Sequence, residues 1–217
     1  MTAGSSSRTS PKPLKEQNRA LLTALLVLNL AVVSLAVQTG DPFSLDLGQT
    51  VHHWRAFLSA GVGVALAGVV NGLLSSDAKA RIVFWRWSDP LPGSFAFSHY
   101  AHRDPRIDID QLRKKVGPFP SVPRDQNALW YKLYRAVRNE PAVIDAHRHF
   151  LLTRDFAGVA LLLLFTAAPI GVWYIPSRAT AGVYVALLLL QYLLSGLAAR
   201  NYGVRFVKTV LALTASS

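Results

Sequence analysis

The hydrophobic pattern of this chain has four apolar stretches, arranged as two pairs on either side of a large polar segment. Each stretch is about 18 or 19 residues long and contains no Asp, Glu, Lys, Arg or His. At about 1.5 Å of rise per residue, a helix of this length crosses the ~30 Å hydrocarbon core of a bilayer. The stretches are Ala20–Val37, Ala56–Leu74, Phe156–Tyr174 and Ala179–Leu197. We therefore predict an all-α integral membrane protein with four transmembrane helices.

Two alternatives to this interpretation are weaker. A soluble helical bundle requires a polar stripe at 3.6-residue spacing on each helix, and runs such as Leu161–Phe165 and Leu187–Leu190 have none. A cleaved secretory signal is the alternative for the first stretch only. The apolar core of a secretory signal is normally about 7 to 15 residues long, which is shorter than Ala20–Val37.

Positive charges lie outside the apolar stretches and predict the orientation. Lys and Arg are frequent in both tails and in the long middle segment, whereas the two short connections contain only Arg55 and Arg178. Because positive charge is retained in the cytoplasm, we expect both termini and the middle segment to be cytoplasmic. The predicted organisation is a basic tail (1–19), helices 1 and 2 (20–74), a helical cytoplasmic domain (75–155), helices 3 and 4 (156–197) and a cytoplasmic tail (198–217).

The amino-acid composition indicates the environment and the partners that we expect for this protein. The net charge of +11 is largely explained by positive-inside retention, so we expect anionic lipid headgroups, rather than nucleic acid, to face the basic segments. The excess of Arg over Lys and the abundant Ala are typical of a GC-rich bacterial genome, which predicts the plasma (inner) membrane. The absence of cysteine excludes disulfides and thiolate metal sites, and no motif predicts a cofactor.

The apolar stretches predict helix packing rather than charge transport. Small residues at spacings of four, three and four form one face of the second stretch, and such a face allows close approach of another helix, from this chain or from a second copy. They are Gly61, Ala65, Gly68 and Gly72. Polar side chains within the stretches include Asn29, Asn71 and Gln191, which predict interhelical hydrogen bonds or, in an oligomer, the lining of a wet pore.

The middle segment predicts several short helices and one long one. Asp77 to Trp87 contains no Pro or Gly and is expected to continue helix 2, whereas Phe95 and Phe97 alternate as in a loop or short strand. Asp108 and Gln111 fit a helix cap, and Gly117 ends that helix. Asp125 is a predicted N-cap of the next helix. The last helix begins at Pro141 and continues into the third apolar stretch, which predicts a rigid connection.

A basic set in the middle segment is a candidate ligand site. Arg presents a planar fork suited to phosphate, and the aromatic residues Phe95, Phe97 and Tyr100 lie close by in sequence. A nucleotide or a phospholipid headgroup fits this chemistry, and solvated charge facing an anionic membrane is the simpler alternative. The predicted ligand-binding residues are His99, Arg103, Arg106, Arg113, Lys114 and Lys115.

Two clusters of histidine and aspartate supply the only metal candidates. His99, His102 and Asp104 form one, and Asp145 and His149, four apart on a helix, form the other. The spacing is not that of a metal motif, so we predict no metal site and retain these residues as weak candidates. His147 is predicted to be a packed or hydrogen-bonded core histidine.

The function predicted from these patterns is non-enzymatic. The chain lacks a Gly-x-Ser-x-Gly elbow, a His-Glu-x-x-His helix and a Walker pattern, so no catalytic residue is assigned. We expect an oligomeric membrane effector or channel-like protein whose cytoplasmic domain binds a signal or partner and moves the membrane helices. The alternatives are a membrane-bound metal- or His/Asp-dependent enzyme acting on lipid, and a scaffold subunit of a larger membrane complex.

Overall fold

The computed structural model describes residues 14–39 and 69–216, and these residues are helical without any strand. This confirms the all-α prediction for the described part of the chain. A helical turn covers residues 69–73, and three single turns of 3₁₀ or π type lie between α2 and α3. The six α-helices are α1 (Leu14–Thr39), α2 (Ser76–Phe84), α3 (Ile109–Val116), α4 (Pro123–Val137), α5 (Pro141–Tyr174) and α6 (Arg178–Ser216).

The central feature is an antiparallel hairpin of the two longest helices, α5 and α6. Only residues 175–177 separate them, so they must fold back on each other. Gly171 in α5 faces Tyr184 near the start of α6, and Phe150 in α5 faces Gly203 near its end. At about 1.5 Å per residue, each helix is ~50–60 Å long, which is longer than a bilayer core is thick. The hairpin therefore has one end beyond any membrane it spans.

The two ends of the hairpin have different surroundings. Residues 141–155 and 198–216 pack with α2, α3 and α4 around a shared core that includes Phe97, Leu112 and Trp130. We call residues 76–155 together with 198–216 the polar module, and residues 156–197 the apolar half. α1 packs on the apolar half: Leu26 and Ala36 share a second cluster with α5 residues that follow Arg148, and Asn18 donates to the Arg148 carbonyl. α1 therefore runs in the same direction as α5.

Two of the described helices are long and apolar enough to cross a membrane, namely α5 and α6. Their exposed side chains agree with an apolar environment, because large residues such as Phe165, Leu190 and Leu194 are open to the surroundings. Most of the second predicted span, including Gly61, Ala65 and Gly68, lies outside the described residues. Gly72 is described, and no other described residue lies within 4 Å of a Cβ placed there.

The long helix predicted from Pro141 is confirmed, and it continues unbroken through Pro169. The cap of α3 is also confirmed, since the Asp108 side chain accepts a hydrogen bond from the Gln111 N–H and the helix ends at Gly117. α4, by contrast, begins at Pro123 after Val122, so the predicted cap at Asp125 is wrong. Proline is favourable at the first helical position because its missing N–H needs no partner there.

Two other local predictions are corrected. Asp77 to Trp87 does not continue the second span, because Ser75 caps a new helix by accepting from the Ala78 N–H, and that helix ends at Trp85. The alternation of Phe95 and Phe97 does not mark a strand. The segment forms tight helical turns, and the buried Gln126 side chain accepts hydrogen bonds from the N–H groups of Phe97 and Ser98.

The described part of the predicted C-terminal tail is helical. Residues 198–216 continue α6 and place Phe206, Val207, Val210 and Leu211 in the core of the polar module. The sequence separates these residues from residues 75–155 by two apolar stretches, so their shared core depends on the hairpin. The polar module is consequently built on the extensions of α5 and α6, and no linker separates it from the apolar half.

Candidate functional site

The most distinctive polar site lies at the junction, where α2 meets the boundary between the polar module and the apolar half. Lys79 Nζ donates to Asp155 Oδ1 at 2.9 Å, and the two side chains are only 4% and 9% exposed. Arg154 adds Nε and Nη2 contacts to the same oxygen at 3.3 and 3.2 Å. One carboxylate thus accepts from two cations in a buried position, directly before the apolar stretch that begins at Phe156.

This charge cluster fixes α2 against α5. Charges taken out of water are stable only when paired and hydrogen-bonded, so each member depends on the others. Lys79 lies in the second turn of α2, and Asp155 lies 76 residues later in the chain. The cluster therefore joins the segment that leaves the second apolar stretch to the helix that enters the third.

A second set of contacts joins α2 to α6. Trp85 adopts a left-handed backbone conformation (φ 52°), and its indole N–H donates to the Tyr192 hydroxyl at 2.9 Å. Tyr192 in turn donates to the Ile82 carbonyl at 3.0 Å. Arg200 Nε donates to the Val83 carbonyl, and its guanidinium lies 3.7 Å from the centroid of the Trp85 ring. Burial lowers the pKa of Arg200 from its ordinary value.

The left-handed conformation of Trp85 is held by these contacts. A bulky residue in this region costs of order 1–3 kcal/mol and persists only where its surroundings require it. Here the conformation ends α2, and the indole ring contacts two α6 residues, Tyr192 through its N–H and Arg200 through its face. Together with the charge cluster, the Trp85–Tyr192–Arg200 contacts attach α2 to both helices of the hairpin.

The core of the polar module contains His147, as predicted. Its ring stacks on Phe206 at 4.6 Å between centroids, and its Nδ1 lies 3.2 Å from the Tyr134 hydroxyl. Burial lowers the pKa of His147 to about 4, and the charge of Arg154 contributes in the same direction. Burial also raises the pKa of Tyr134. A histidine held neutral among aromatic rings stabilises the core and is not arranged as a metal ligand.

Several residues of the predicted ligand set are engaged within the protein. Arg106 pairs in bidentate fashion with Asp104 (3.0 and 2.7 Å), and this hydrogen bond lowers the pKa of Asp104 to about 2. Lys115 donates to the Thr214 carbonyl at the end of α6 at 2.9 Å, and Arg113 lies over the Phe119 ring at 5.2 Å.

The remaining members of that set do not converge with these residues on one ligand. Lys114 is exposed on α3, and the Arg103 carbonyl accepts from Lys208 at 3.0 Å. His99 packs edge-on against Tyr100, and burial, assisted by nearby Arg103, lowers its pKa. The contacts of Arg103 and Lys115 thus hold the turns before α3 and the last turn of α3 against the C-terminal part of α6.

The metal candidates remain in separate pairs. Asp145 and His149 lie 3.3 Å apart on one face of α5, as their spacing predicts, and Arg205 approaches the same carboxylate at 3.8 Å. His102 packs near the Phe119 ring, and Asp104 is paired with Arg106. Within residues 14–39 and 69–216, no group of three His, Cys, Asp or Glu side chains is placed to hold a metal ion.

The polar side chains of the apolar stretches have local roles. Asn29 donates to the Leu25 carbonyl of its own helix at 2.8 Å. Asn71 is buried beside Gly158, where a Cβ would lie 3.0 Å from its Oδ1. In the part of the chain that the structure describes, Asn71 Oδ1 and Gln191 Nε2 are buried without a hydrogen-bond partner.

Sequence reasoning missed the junction itself. Lys79, Asp155, Tyr192 and Arg200 each flank an apolar stretch or lie near its end, where charged and aromatic residues are expected for topological reasons alone. Lys79 lies five residues after Leu74, and Asp155 directly precedes Phe156. A signal was available, since opposite charges at the facing ends of adjacent antiparallel spans lie at the same depth and are able to pair.

Comparison of the chain with models of protein families, with curated proteins and with solved structures finds no match.

Proposed function

We propose that this chain is a four-span protein of the bacterial plasma membrane, with both termini in the cytoplasm, that acts as an oligomeric effector or channel-like protein. In this proposal the polar module is cytoplasmic and binds a signal or partner, and its state is transmitted to the membrane helices without catalysis. The observation that carries the proposal is the continuity of α5 and α6 from the core of the polar module into the apolar half.

The packing of α1 and of residues 69–73 supports four spans. In a four-span protein with a cytoplasmic N-terminus, the first and third spans run in the same direction, as α1 and α5 do. The second span must return to the cytoplasmic side, and Asn71 near its end lies beside Gly158, just inside the apolar part of α5. α2 then begins at Ser76, at the level of the Lys79–Asp155 pair.

The junction supports coupling rather than simple anchoring. A domain tethered by a flexible linker moves independently of its span, whereas here the buried charge cluster and the Trp85–Tyr192–Arg200 contacts attach α2 to both hairpin helices. A displacement of α2 relative to the rest of the module therefore acts directly on α5 and α6. Oligomerisation gives such a movement a membrane target, because the exposed apolar faces are able to meet other copies.

Topology is tested by single cysteines, since the natural chain has none. Gln49→Cys and Ser177→Cys fall in the two predicted external connections, and Arg124→Cys falls on the exposed surface of α4. We expect a membrane-impermeant maleimide to label the first two in intact cells and the third only after lysis. External labelling of Arg124→Cys, or protection of Gln49→Cys with labelling of Ser177→Cys, contradicts the four-span arrangement.

Coupling is tested by interrupting α5. Two glycines inserted between Asp155 and Phe156 weaken the helical connection, and two glycines inserted after Ser121, in the loop before α4, are the matched control. We expect the wild-type protein to be oligomeric in mild detergent and to release dye from liposomes. The insertion in α5 should change the release rate, and the loop insertion should not. A monomeric wild type that leaves liposomes sealed contradicts the proposal.

A further inference from the structure

A cavity of ≈ 430 Å³ opens at the junction, on the side of α2 that faces away from α5. Its lining combines two arginines with three aromatic side chains, and they are Arg81, Trp85, Arg86, Trp87 and Tyr192. This volume is within the range of sites that bind small molecules, which is about 300–1,000 Å³. The predicted ligand set does not include this cavity, and the proposed coupling function uses Trp85 and Tyr192 only for their contacts between α2 and α6.

The cationic side of the cavity has no acidic partner among the residues that the structure describes. Among residues 14–39 and 69–216, neither Arg81 nor Arg86 forms an ion pair with a carboxylate. Arg86 stacks over Phe95 at 4.0 Å, and its Nη1 is buried without a hydrogen-bond partner in the described part of the chain. Arg200, held on Trp85 next to the cavity, likewise has a buried Nη2 without a partner there. Unpaired guanidinium groups at this density favour an anion with several oxygens.

The other side of the cavity is apolar. Tyr192 belongs to the apolar half, and Leu189, one turn earlier on the same face of α6, is exposed. Trp87 is 86% exposed, and tryptophan is enriched where headgroups meet hydrocarbon. The ligand that matches a cationic pocket continuous with an apolar surface is an anionic amphiphile.

We propose that this cavity binds the phosphodiester headgroup of an anionic membrane lipid. The phosphate oxygens accept hydrogen bonds from Arg81 and Arg86, and the acyl chains lie along Tyr192 and Leu189. The proposal rests on the membrane placement given under Proposed function. Free phosphate has the same charged oxygens as the headgroup but does not contact the apolar surface. Competition between phosphate and lipid therefore distinguishes the two ligands.

The test measures lipid retention by the solubilised full-length protein with native mass spectrometry. Phosphatidylglycerol and phosphatidylcholine with identical acyl chains are titrated against the wild type and against Arg81→Gln/Arg86→Gln. Each arginine near an anionic headgroup contributes about fivefold in affinity, so the double variant should bind phosphatidylglycerol ~30-fold more weakly. Its binding of phosphatidylcholine should not change. Arg124→Gln/Lys132→Gln, which removes two exposed charges from α4, is the matched control and should stay within about twofold of wild type.

Three outcomes overturn the proposal. One is equal retention of the two lipids by the wild type, which requires no variant and is independent of variant folding. Another is unchanged phosphatidylglycerol binding in the cavity double variant. The third is displacement of the lipid by inorganic phosphate alone, which assigns the cavity to a soluble anion. Selective lipid binding together with failed cysteine labelling would support this site and reject the proposed topology, so the two failures are distinguishable.

Discussion

The same two helices, α5 and α6, form two regions in which large apolar side chains have different surroundings. In the polar module their large side chains are buried, as Phe206 is at 4% exposure, whereas in the apolar half Phe165 is 71% exposed. In the module, dense aromatic packing offsets the entropy that is lost when its side chains become ordered. The exposed side chains of the apolar half are stable because their surroundings are also apolar. The junction, with its buried charges, lies between these two regions of the same hairpin.

The largest expected effect comes from truncating the aromatic core. Phe206→Ala removes a ring that stacks on His147 and meets Trp130 edge-on, and should lower the free energy of unfolding of the polar module by about 3–5 kcal/mol. Urea unfolding in detergent measures this loss. Phe165→Ala is the matched variant in the apolar half and should change the same quantity by less than ~0.5 kcal/mol. Equal losses would abolish the contrast between the two regions.

A loss of similar size is expected at the junction. Asp155→Ala leaves the buried cations Lys79 and Arg154 without their carboxylate, and breaking a buried pair in this way costs about 3–5 kcal/mol. Lys79→Met/Asp155→Leu removes a charge of each sign and should recover part of the stability. Asp110→Ala, at an exposed acid of α3, is the control. Hydrogen exchange of α2 is the sharper readout, and unchanged protection there would show that the cluster does not attach this helix.

The next effect is a pH dependence specific to the polar module. Folded His147 stays neutral down to about pH 4, whereas in the unfolded chain it takes up a proton near its ordinary pKa of 6.5. The folded state should therefore lose up to about 3 kcal/mol as pH falls from 6.5 to 4. His147→Asn should flatten this slope. Asp104, with its pKa lowered to about 2, adds a loss only below its ordinary value of 3.8.

The smallest effect distinguishes two glycines within the apolar half. A Cβ at Gly171 would lie 2.5 Å from the buried ring of Tyr184, and one at Gly182 meets no described residue within 4 Å. Gly171→Ala should destabilise the hairpin by about 1–3 kcal/mol through overpacking. Gly182→Ala should be neutral or stabilising by up to ~1 kcal/mol. Denaturation in mixed micelles followed by tryptophan fluorescence compares the two, and an equal response would contradict the packing of α5 on α6.

Local features of the fold were predictable because local physics decides them. The cap at Asp108, the end of α3 at Gly117 and the run of α5 from Pro141 each depend on a few neighbouring residues. The break at Ser75 was missed because the stretch that follows contains neither Pro nor Gly. The serine cap is itself a local contact, whereas the left-handed Trp85 that ends α2 is held by Tyr192 of α6, more than 100 residues away.

The candidate site was less predictable than the fold for a related reason. The sequence drew attention to histidine clusters and to a run of basic residues, yet much of that run is engaged internally, as Arg106 is with Asp104. The junction instead combines single residues from three distant segments, each unremarkable in its local context. Residues 198–216 illustrate the same limit, because only the long hairpin brings them into the core of the polar module.

The unbroken course of α6 has a mechanical consequence. α6 is held near its middle, where Arg200 contacts Val83 and Trp85 at the end of α2. When a stiff rod is held in this way, its two ends move in opposite directions. A sideways shift of Leu211 among its neighbours is then expected to tilt the end near Arg178 the other way. Small adjustments within the polar module would reach the opposite end of the hairpin as a change of angle, with no hinge required.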